Sequence, residues 1–250
     1  MMASPVQSSR QAAEAVGGVD RSYAMTEQNE ISFWANERED ADHLVLLHHY
    51  SRRVPANIQW CGVAYGKGGL FGNKGNPLAA IFFSIPPTRW AEEVWELSRL
   101  VRVPDSCFPL TRLVSWACKA VRTISPGLLV SFADSTHKHH GGIYQAASWH
   151  YHGKRDSNMD GLVVNGEFVP GRSCNSAWGT RSPCKLKEIF PSYEIEPHYD
   201  EGKHLYWRSL NREGQRKAER LGLVSSPYPK PGRQGTDLCT LIEADLPRTP

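Results

Sequence analysis

Five of the ten histidines of this 250-residue chain lie in one stretch, "SFADSTHKHHGGIYQAASWHYHG", residues 131–153. Imidazole nitrogens at this density can bind zinc or iron, and two of them with Asp134 would make a two-histidine, one-carboxylate iron site. The spacing matches no standard ligand set, and a His-Lys-His-His run in a loop is more often a solvated polar turn. We therefore assign no metal ligands and keep iron as an alternative.

Asp134 closes an apolar run, residues 128–134, which predicts a short buried strand. A carboxylate at this position has two interpretations. It can cap the turn that follows, or it can act as a general base, for which burial would have to raise its pKa. The residue pattern leaves both open.

A second polar stretch, "LLHHYSRRVP", ends the helix predicted at residues 40–53. His49 and Tyr50 lie at its carboxyl end beside Arg52 and Arg53. Cationic side chains there complement the helix dipole. The alternative is an acid or base, His49 or Tyr50, that faces a cleft.

A third stretch, "RVPDSCFPLTR", joins a predicted strand to a predicted helix. Free backbone N–H groups and the positive end of a helix can hold an anion such as a pyrophosphate, and Arg102 and Arg112 add charge. The stretch contains Ser106 but no glycine-rich phosphate motif. It is either an anion site or a connecting loop with surface arginines.

A basic region follows, in which cations alternate with aromatic residues. Cations contact phosphates and aromatic rings stack on displaced bases, although a run of charges is more often a solvated face. The residues are Lys154, Arg155, Arg172, Arg181, Lys185 and Lys187 with Tyr151, Phe168 and Trp178, and then Arg212, Arg216, Lys217 and Arg220 as a basic C-terminal extension.

The elements that must position these residues follow from hydrophobic periodicity. We predict helices at residues 40–53, 110–121, 142–149 and 211–221, and strands at 58–65, 78–85, 93–105, 128–134, 162–164 and 204–210. Alternation in residues 93–105 puts Trp95, Leu97 and Val101 on one face of the strand, and Glu96, Ser98, Leu100 and Arg102 on the other.

This order predicts an α/β fold with one mixed central sheet and flanking helices. Residues 93–134 read as strand–helix–strand, so those two strands should be parallel. Ligands bind at the carboxyl ends of such strands, which points to Asp134 and the loop at residues 102–110.

Composition is that of an ordinary globular protein, with 40% hydrophobic and 22% charged residues and a net charge of +3. No apolar run approaches the roughly 20 residues that cross a bilayer, and no secretory signal is visible. The six cysteines include no CxxC pair, which favours reduced thiols and a cytoplasmic protein without membrane contact. We expect a flexible leader at residues 1–25, one domain at 26–225 and a proline-containing tail at 226–250, and leave the oligomeric state open.

Three blocks together, "HHYSRRVPANIQW" (residues 48–60), "ELSRLVRVPD" (96–105) and the histidine-rich stretch, resemble the Mom family of bacteriophage DNA-modification proteins. The resemblance spans about residues 43–210. It implies a fold like that of the GNAT acyltransferases, and conversion of adenine in double-stranded DNA to N6-carbamoylmethyl adenine. Such a product protects phage DNA from host restriction in the host cytoplasm.

The resemblance also implies an acyl donor, acetyl-CoA or a related compound. The GNAT phosphate loop is typically Q/R-x-x-G-x-G/A, whereas this chain has "VPDSCFP", in which two prolines remove donors. Acetyl transfer alone also cannot supply the amide nitrogen of a carbamoylmethyl group.

Within this hypothesis Asp134 or His49 is the base, and Tyr50 hydrogen-bonds the adenine or the donor, with the target base flipped out of the duplex. The expected catalytic residues are Asp134, Tyr50, His49 and Ser131, and the expected donor-binding residues are Arg102, Ser98, Ser106, Arg112 and Tyr144. For Ser98 and Ser131 the alternative is a small residue in tight space beneath a helix, and for Tyr144 it is core packing.

Two other functions fit the same sequence. One is a GNAT-type, acetyl-CoA-dependent acyltransferase acting on a protein or a small molecule. The other is a DNA-binding protein without catalysis, which the basic C-terminal half favours.

Overall fold

A computed structural model describes residues 31–68, 74–87 and 90–229. Its strands are β1 Ser32–Ala35, β2 Ile58–Tyr65, β3 Pro77–Ser84, β4 Trp95–Arg102, β5 Leu128–Asp134, β6 His150–Arg155, β7 Met159–Val164, β8 Glu167–Pro170, β9 Ile195–Tyr199 and β10 Lys203–Ser209. Its helices are α1 Arg38–His48, α2 Leu110–Ala120, α3 Gly142–Ala146, α4 Gly171–Trp178, α5 Pro183–Ile189 and α6 Arg212–Arg220, with a 3-10 turn at Ser135–His137.

Seven strands form the main sheet, in the order β1-β2-β3-β4-β5-β10-β6. The pair β4 and β5 is parallel and the other neighbours are antiparallel, which confirms the predicted mixed α/β sheet and its strand–helix–strand unit. Helix α2 packs on one face of the sheet, which we call the α2 face. Helices α1 and α6 pack on the other, the α1/α6 face.

The parallel strands β4 and β5 are paired over a short length only. Their register joins Trp95 to Leu129 and Glu96 to Val130, although β4 runs on to Arg102 and β5 to Asp134. Beyond Glu96 and Val130 the two strands therefore separate and open a slot in the middle of the sheet.

A β-bulge in β4 overturns the predicted faces of this strand. Phe82 of β3 pairs with Arg99 and Phe83 with Leu97, so Ser98 is an extra residue without a partner. Because a bulge shifts the alternation by one residue, Glu96 and Arg99 lie on the same face as Phe82, which packs under α1. Leu97 stays on the α2 face.

Several predicted elements are confirmed, most closely β5, β2 and α2, and others are corrected. Helix α1 ends at His48 rather than at residue 53, since Arg52 has a positive φ of 43° and Pro55 follows. Strands β1 and β6 were not predicted, and the helix expected at 142–149 ends at Ala146.

The stretch between β6 and β10, predicted to hold one short strand, folds into a three-stranded sheet in the order β8-β7-β9. Helices α4 and α5 cover this sheet around its own buried cluster of Leu162, Cys174, Leu186 and Ile195.

Of the expected terminal segments, residues 1–25 lie outside the described residues, and the tail is described only to residue 229. Its first residues pack on β6, where Oγ of Ser226 donates a 3.0 Å hydrogen bond to the His152 carbonyl. In the described part of the chain no helix is both long enough and apolar enough to span a bilayer.

Candidate active site

Side chains from three distant stretches meet on the α1/α6 face, where β4 and β5 separate. Tyr50 follows α1, Glu96 and Arg99 come from β4, and Asp134 ends β5. They are close enough for the charges of Asp134, Arg99 and Glu96 all to act on the pKa of Tyr50. We call this surface the polar groove. Its residues are His49, Tyr50, Glu96, Arg99, Asp134, His137, His139, Arg172 and Lys203.

Tyr50 stands at the centre of the groove among imidazole rings. Its ring centroid lies 4.3 Å from that of His49, 4.1 Å from His137 and 6.1 Å from His139. The side chain is 55% exposed, so one side of the ring remains open. Desolvation, and then the charge of Asp134, raise the pKa of Tyr50, which keeps its hydroxyl protonated as a hydrogen-bond donor.

His49 is only 9% exposed, and its ring packs against that of Tyr50. Its Nδ1 lies 3.1 Å from the backbone N–H of Ser51, which donates to it, and 2.9 Å from the Ser51 hydroxyl. Burial, with the nearby charges of Arg99, His139 and His137, lowers the pKa of His49 to about 3. The ring is therefore neutral and a weak base, unlike the base expected from the sequence.

Asp134 takes the capping position that was one of its two interpretations. Its Oδ1 accepts a 3.0 Å hydrogen bond from the Thr136 N–H, and its Oδ2 lies 2.8 Å from Nζ of Lys203. Partial burial would raise the pKa of Asp134, but the hydrogen bonds from Lys203 and Thr136 outweigh it and hold the pKa below its usual value. The raised pKa that a base at this position needs is not found.

Glu96 is the carboxylate whose environment suits a base. Burial raises its pKa above the ordinary value, against the opposing charges of Arg99, Arg172 and Lys203. No hydrogen bond or ion pair within the described part of the chain holds its carboxylate. Glu96 is not among the catalytic residues predicted from the sequence, although a carboxylate between apolar residues in a predicted strand was the available signal.

On the α2 face, two hydroxyl groups mark the place where the strands separate. Oγ of Ser131 lies 2.9 Å from the Leu97 carbonyl oxygen of β4 and 2.8 Å from the Tyr144 hydroxyl. A carbonyl only accepts, so the single proton of Ser131 goes to Leu97, and Tyr144 donates to Ser131. Burial raises the pKa of Tyr144 to about 12 despite the Ser131 hydrogen bond, so its hydroxyl stays protonated.

Most of the sequence matches the model of one protein family. The family model described as the Mom protein family matches residues 30–230, which include every residue of the polar groove. The chain belongs to the Mom protein family. No curated protein matches it.

Among solved structures, this Mom-family chain is similar to acetyltransferases. A Bacillus subtilis acetyltransferase in complex with CoA is 9% identical at a TM-score of 0.41, over 74% of this chain and 100% of the other. The ribosomal-protein-S5-alanine acetyltransferase of Vibrio fischeri is 9% identical at a TM-score of 0.42, over 76% and 98%. An N-acetyltransferase of Staphylococcus aureus is 11% identical at 0.40, over 72% and 99%. Similarity at this level assigns neither an activity nor a cofactor.

Three residues expected to bind a donor lie around the loop between β4 and α2. Nη1 of Arg102 donates to the Phe108 carbonyl at 3.3 Å, and Oγ of Ser106 accepts from the Phe108 N–H at 3.2 Å. The Arg112 guanidinium lies 6.0 Å from the ring centroid of Phe33. No hydrogen bond or ion pair between described residues joins these three to the polar groove of this Mom-family chain.

Ser98, the fourth, is the bulged residue of β4. Its hydroxyl lies 3.5 Å from the Phe82 carbonyl, and its own carbonyl accepts a 2.6 Å hydrogen bond from Arg99. The backbone carbonyl of Ser98 therefore holds the Arg99 side chain of the groove, whereas the Ser98 side chain does not enter the groove.

Part of the backbone of the same loop is hydrogen-bonded within the loop. The N–H groups of Ser106 and Arg112 donate to the carbonyls of Val103 and Pro109 at 3.0 Å each, and Phe108 donates to Ser106. Proline has no N–H, which removes Pro104 and Pro109. Arg102 adds a cation to this loop, and its buried Nε has no hydrogen-bond partner among the described residues.

The histidines of the groove do not form a metal cluster. In the described part of this Mom-family chain, no three or more His, Cys, Asp or Glu side chains are arranged to hold a metal ion. The iron alternative receives no support from this geometry.

The predicted basic residues divide between structural and surface positions. Lys217 donates to the Pro126 carbonyl at 2.9 Å and Arg220 pairs with Glu93 at 2.6 Å, so both also hold α6 in place. The charge of Arg172, at the start of α4, instead lowers the pKa of Glu96 and the pKa of Arg99 in the groove.

Proposed function

We propose that this Mom-family chain converts adenine in double-stranded DNA to N6-carbamoylmethyl adenine. The observation that supports it best is the slot between β4 and β5, which has Glu96 on one side and the Ser131–Tyr144 pair on the other. The donor of the carbamoylmethyl group occupies the slot, and the DNA approaches from the polar groove. The product protects phage DNA from restriction in the host cytoplasm.

Glu96 acts as the general base. The N6 amine of adenine is a poor nucleophile because its lone pair is delocalised into the ring, so a proton must leave as the new N–C bond forms. A carboxylate with a raised pKa is a stronger base than an ordinary glutamate, and one without a hydrogen-bonded partner is free to accept that proton. N6 attacks the CH2 carbon of the donor, the bond from that carbon to the leaving group breaks with its electron pair on the leaving group, and Glu96 takes the N6 proton.

Tyr50 and Asp134 position the acceptor. The protonated Tyr50 hydroxyl donates a hydrogen bond to the adenine or to the donor carbonyl, and the flanking imidazole rings limit its rotation. Asp134, fixed by Lys203 and Thr136, keeps a negative charge at the mouth of the groove and anchors the end of β5.

Tyr144 and Ser131 contact the donor compound in the slot. Tyr144 is neutral at working pH and can turn its proton toward a carbonyl oxygen or leaving group as charge develops there. Acetyl transfer would bond N6 to a carbonyl carbon, whereas the carbamoylmethyl group is bonded to N6 through its CH2 carbon. The donor must therefore already carry the amide and have its leaving group on that CH2 carbon.

Nucleoside mass spectrometry tests this function. DNA from bacteria that produce the full chain is digested and compared with DNA from cells that carry an empty vector. We expect an adenine nucleoside heavier by one carbamoylmethyl group. Unmodified DNA together with acyl-CoA turnover on a protein or small molecule would favour the acyltransferase alternative, and salt-dependent DNA binding without any mass change would favour the non-catalytic one.

A further inference from the structure

A second concave site lies on the α1/α6 face, next to the polar groove. It is a hollow of about 460 Å³, lined by Trp90, Phe132, His152, Lys154, Arg155 and Leu205. This volume lies within the roughly 300–1,000 Å³ of small-molecule sites. None of these residues has a role in the proposed reaction, and we call this site the apolar hollow.

Its floor is a pair of apolar side chains on neighbouring strands. Phe132 of β5 and Leu205 of β10 are register partners, so they project from the same face of the sheet. The indole of Trp90 adds a wall, and Gly153 leaves the β6 side of the hollow without a side chain. The aromatic rings of Phe132 and Trp90 are of the kind that stacks on the face of a nucleobase.

Its rim is basic. Arg155 pairs with Asp200 and is thereby fixed in position, whereas the exposed Lys154 has no ion pair among the described residues. His152 accepts a 3.1 Å hydrogen bond from the Val224 N–H at Nδ1, so its neutral form carries the proton on Nε2 as a donor. An apolar floor with cationic and donor groups at the edge matches a planar base attached to a phosphate.

The hollow adjoins the groove along two strands. Phe132 lies two residues beyond Val130, which pairs with Glu96, and two residues before Asp134. Asp134 in turn pairs with Lys203, the residue of β10 that lies opposite Arg155 of β6. A base held against Phe132 is therefore beside the carboxylates of the groove.

We infer that the apolar hollow receives the target adenine after it has left the DNA stack, with Lys154 on the adjacent phosphate. This inference rests on the proposed function, since it names the substrate position for the same reaction. A base inside a duplex cannot reach an enclosed site, and the cost of unpairing it, a few kcal/mol, is smaller when the base has no partner.

Fluorescence anisotropy with three labelled duplexes tests the inference. In the first duplex every base is paired. In the second an adenine lies opposite an abasic site, and in the third a thymine lies opposite the abasic site. We expect the wild-type chain to bind the unpaired-adenine duplex about 10-fold or more tighter than the paired one, and tighter than the unpaired-thymine one. Phe132→Ala abolishes this preference, and Lys154→Ala weakens binding of all three duplexes.

The controls are Tyr193→Ala, which precedes β9, and Lys119→Ala on α2, both exposed and outside the lining of the hollow, which should keep the preference and the affinity. Circular dichroism establishes that each variant is folded, and Lys154→Ala, at an exposed position, provides a readout if Phe132→Ala does not fold. A wild-type chain that shows no adenine preference overturns the inference. So does a folded Phe132→Ala variant that retains the preference.

Nucleoside mass spectrometry of DNA from the same variants separates the two hypotheses. If the wild-type chain makes no modified adenine but shows the Phe132-dependent preference, the proposed function fails and the base site stands. If modification proceeds normally in both Phe132→Ala and Lys154→Ala, the function stands and the base site is overturned.

Discussion

The hydroxyl oxygens of Ser131 and Tyr144 lie 2.8 Å apart, one residue beyond the last pair that joins β4 to β5. At this point a side chain replaces the backbone in linking the strands, because Ser131 donates to the Leu97 carbonyl. The end of strand pairing and the start of the proposed donor site are thus the same place. This geometry makes the pair the first to test.

Tyr144→Phe should lower the rate of DNA modification about 10²-fold, since it removes one hydrogen-bond donor from the reacting centre. Ser131→Ala leaves the Leu97 carbonyl without a donor and should cost about 1–3 kcal/mol of unfolding free energy in addition. Urea denaturation and single-turnover modification of a duplex measure the two effects. Ser98→Ala, whose hydroxyl makes only a 3.5 Å contact, is the matched control and should change neither.

The pH dependence of modification should report Glu96. Its pKa is raised, so activity is lost as the pH falls through that raised value, which begins at a higher pH than for an ordinary glutamate. Arg99 opposes the rise, so Arg99→Gln should move the acid limb to still higher pH. Rate measurements across pH with the exposed Arg122→Gln as control test this, and an acid limb that does not move in Arg99→Gln contradicts the assignment.

His49 should make the fold sensitive to acid. Its pKa is about 3 in the folded chain and about 6.5 when unfolded, so its neutral ring contributes stability that is complete above pH 6.5 and is lost as the pH falls toward 3. The loss amounts to at most about 5 kcal/mol. His49→Gln should flatten the pH dependence of unfolding free energy in this window, whereas the exposed His43→Gln should leave it as in the wild type.

The pair of Asp134 and Lys203 should be visible by NMR. Lys203 is the main favourable partner that holds the pKa of Asp134 low, so Lys203→Gln should raise that pKa. A carboxyl-carbon titration of the aspartates measures the shift. The exposed Lys185→Gln should leave the Asp134 titration unchanged, and an unshifted Asp134 in Lys203→Gln would show that the contact is absent in solution.

The sequence predicts this fold well where periodicity is uninterrupted. The apolar run of β5 is found from Leu128 to Asp134 as expected, and its parallel pairing with β4 follows from the helix between them. Two of the three polar stretches meet, since the charge of Asp134 acts on the pKa of Tyr50, whereas the stretch at residues 102–112 makes no hydrogen bond or ion pair with the groove among the described residues.

The bulge at Ser98 is what the sequence does not reveal. Regular alternation separates Glu96 from Arg99, and only the extra residue brings both to the groove. The sequence instead predicted Asp134 as the base, and there a turn hydrogen bond and Lys203 lower the pKa rather than raise it. Lys203 lies on β10, some seventy residues further along the chain, so this partner leaves no local pattern.

The most direct test of the central claim is the modified-adenine content of DNA from cells that produce the wild-type chain, Glu96→Gln or Glu93→Gln. Glu93 is a matched carboxylate, paired with Arg220 and outside the groove. We predict equal modification with wild type and Glu93→Gln, and at least a roughly 100-fold loss with Glu96→Gln. Full modification by a folded Glu96→Gln variant would contradict the account.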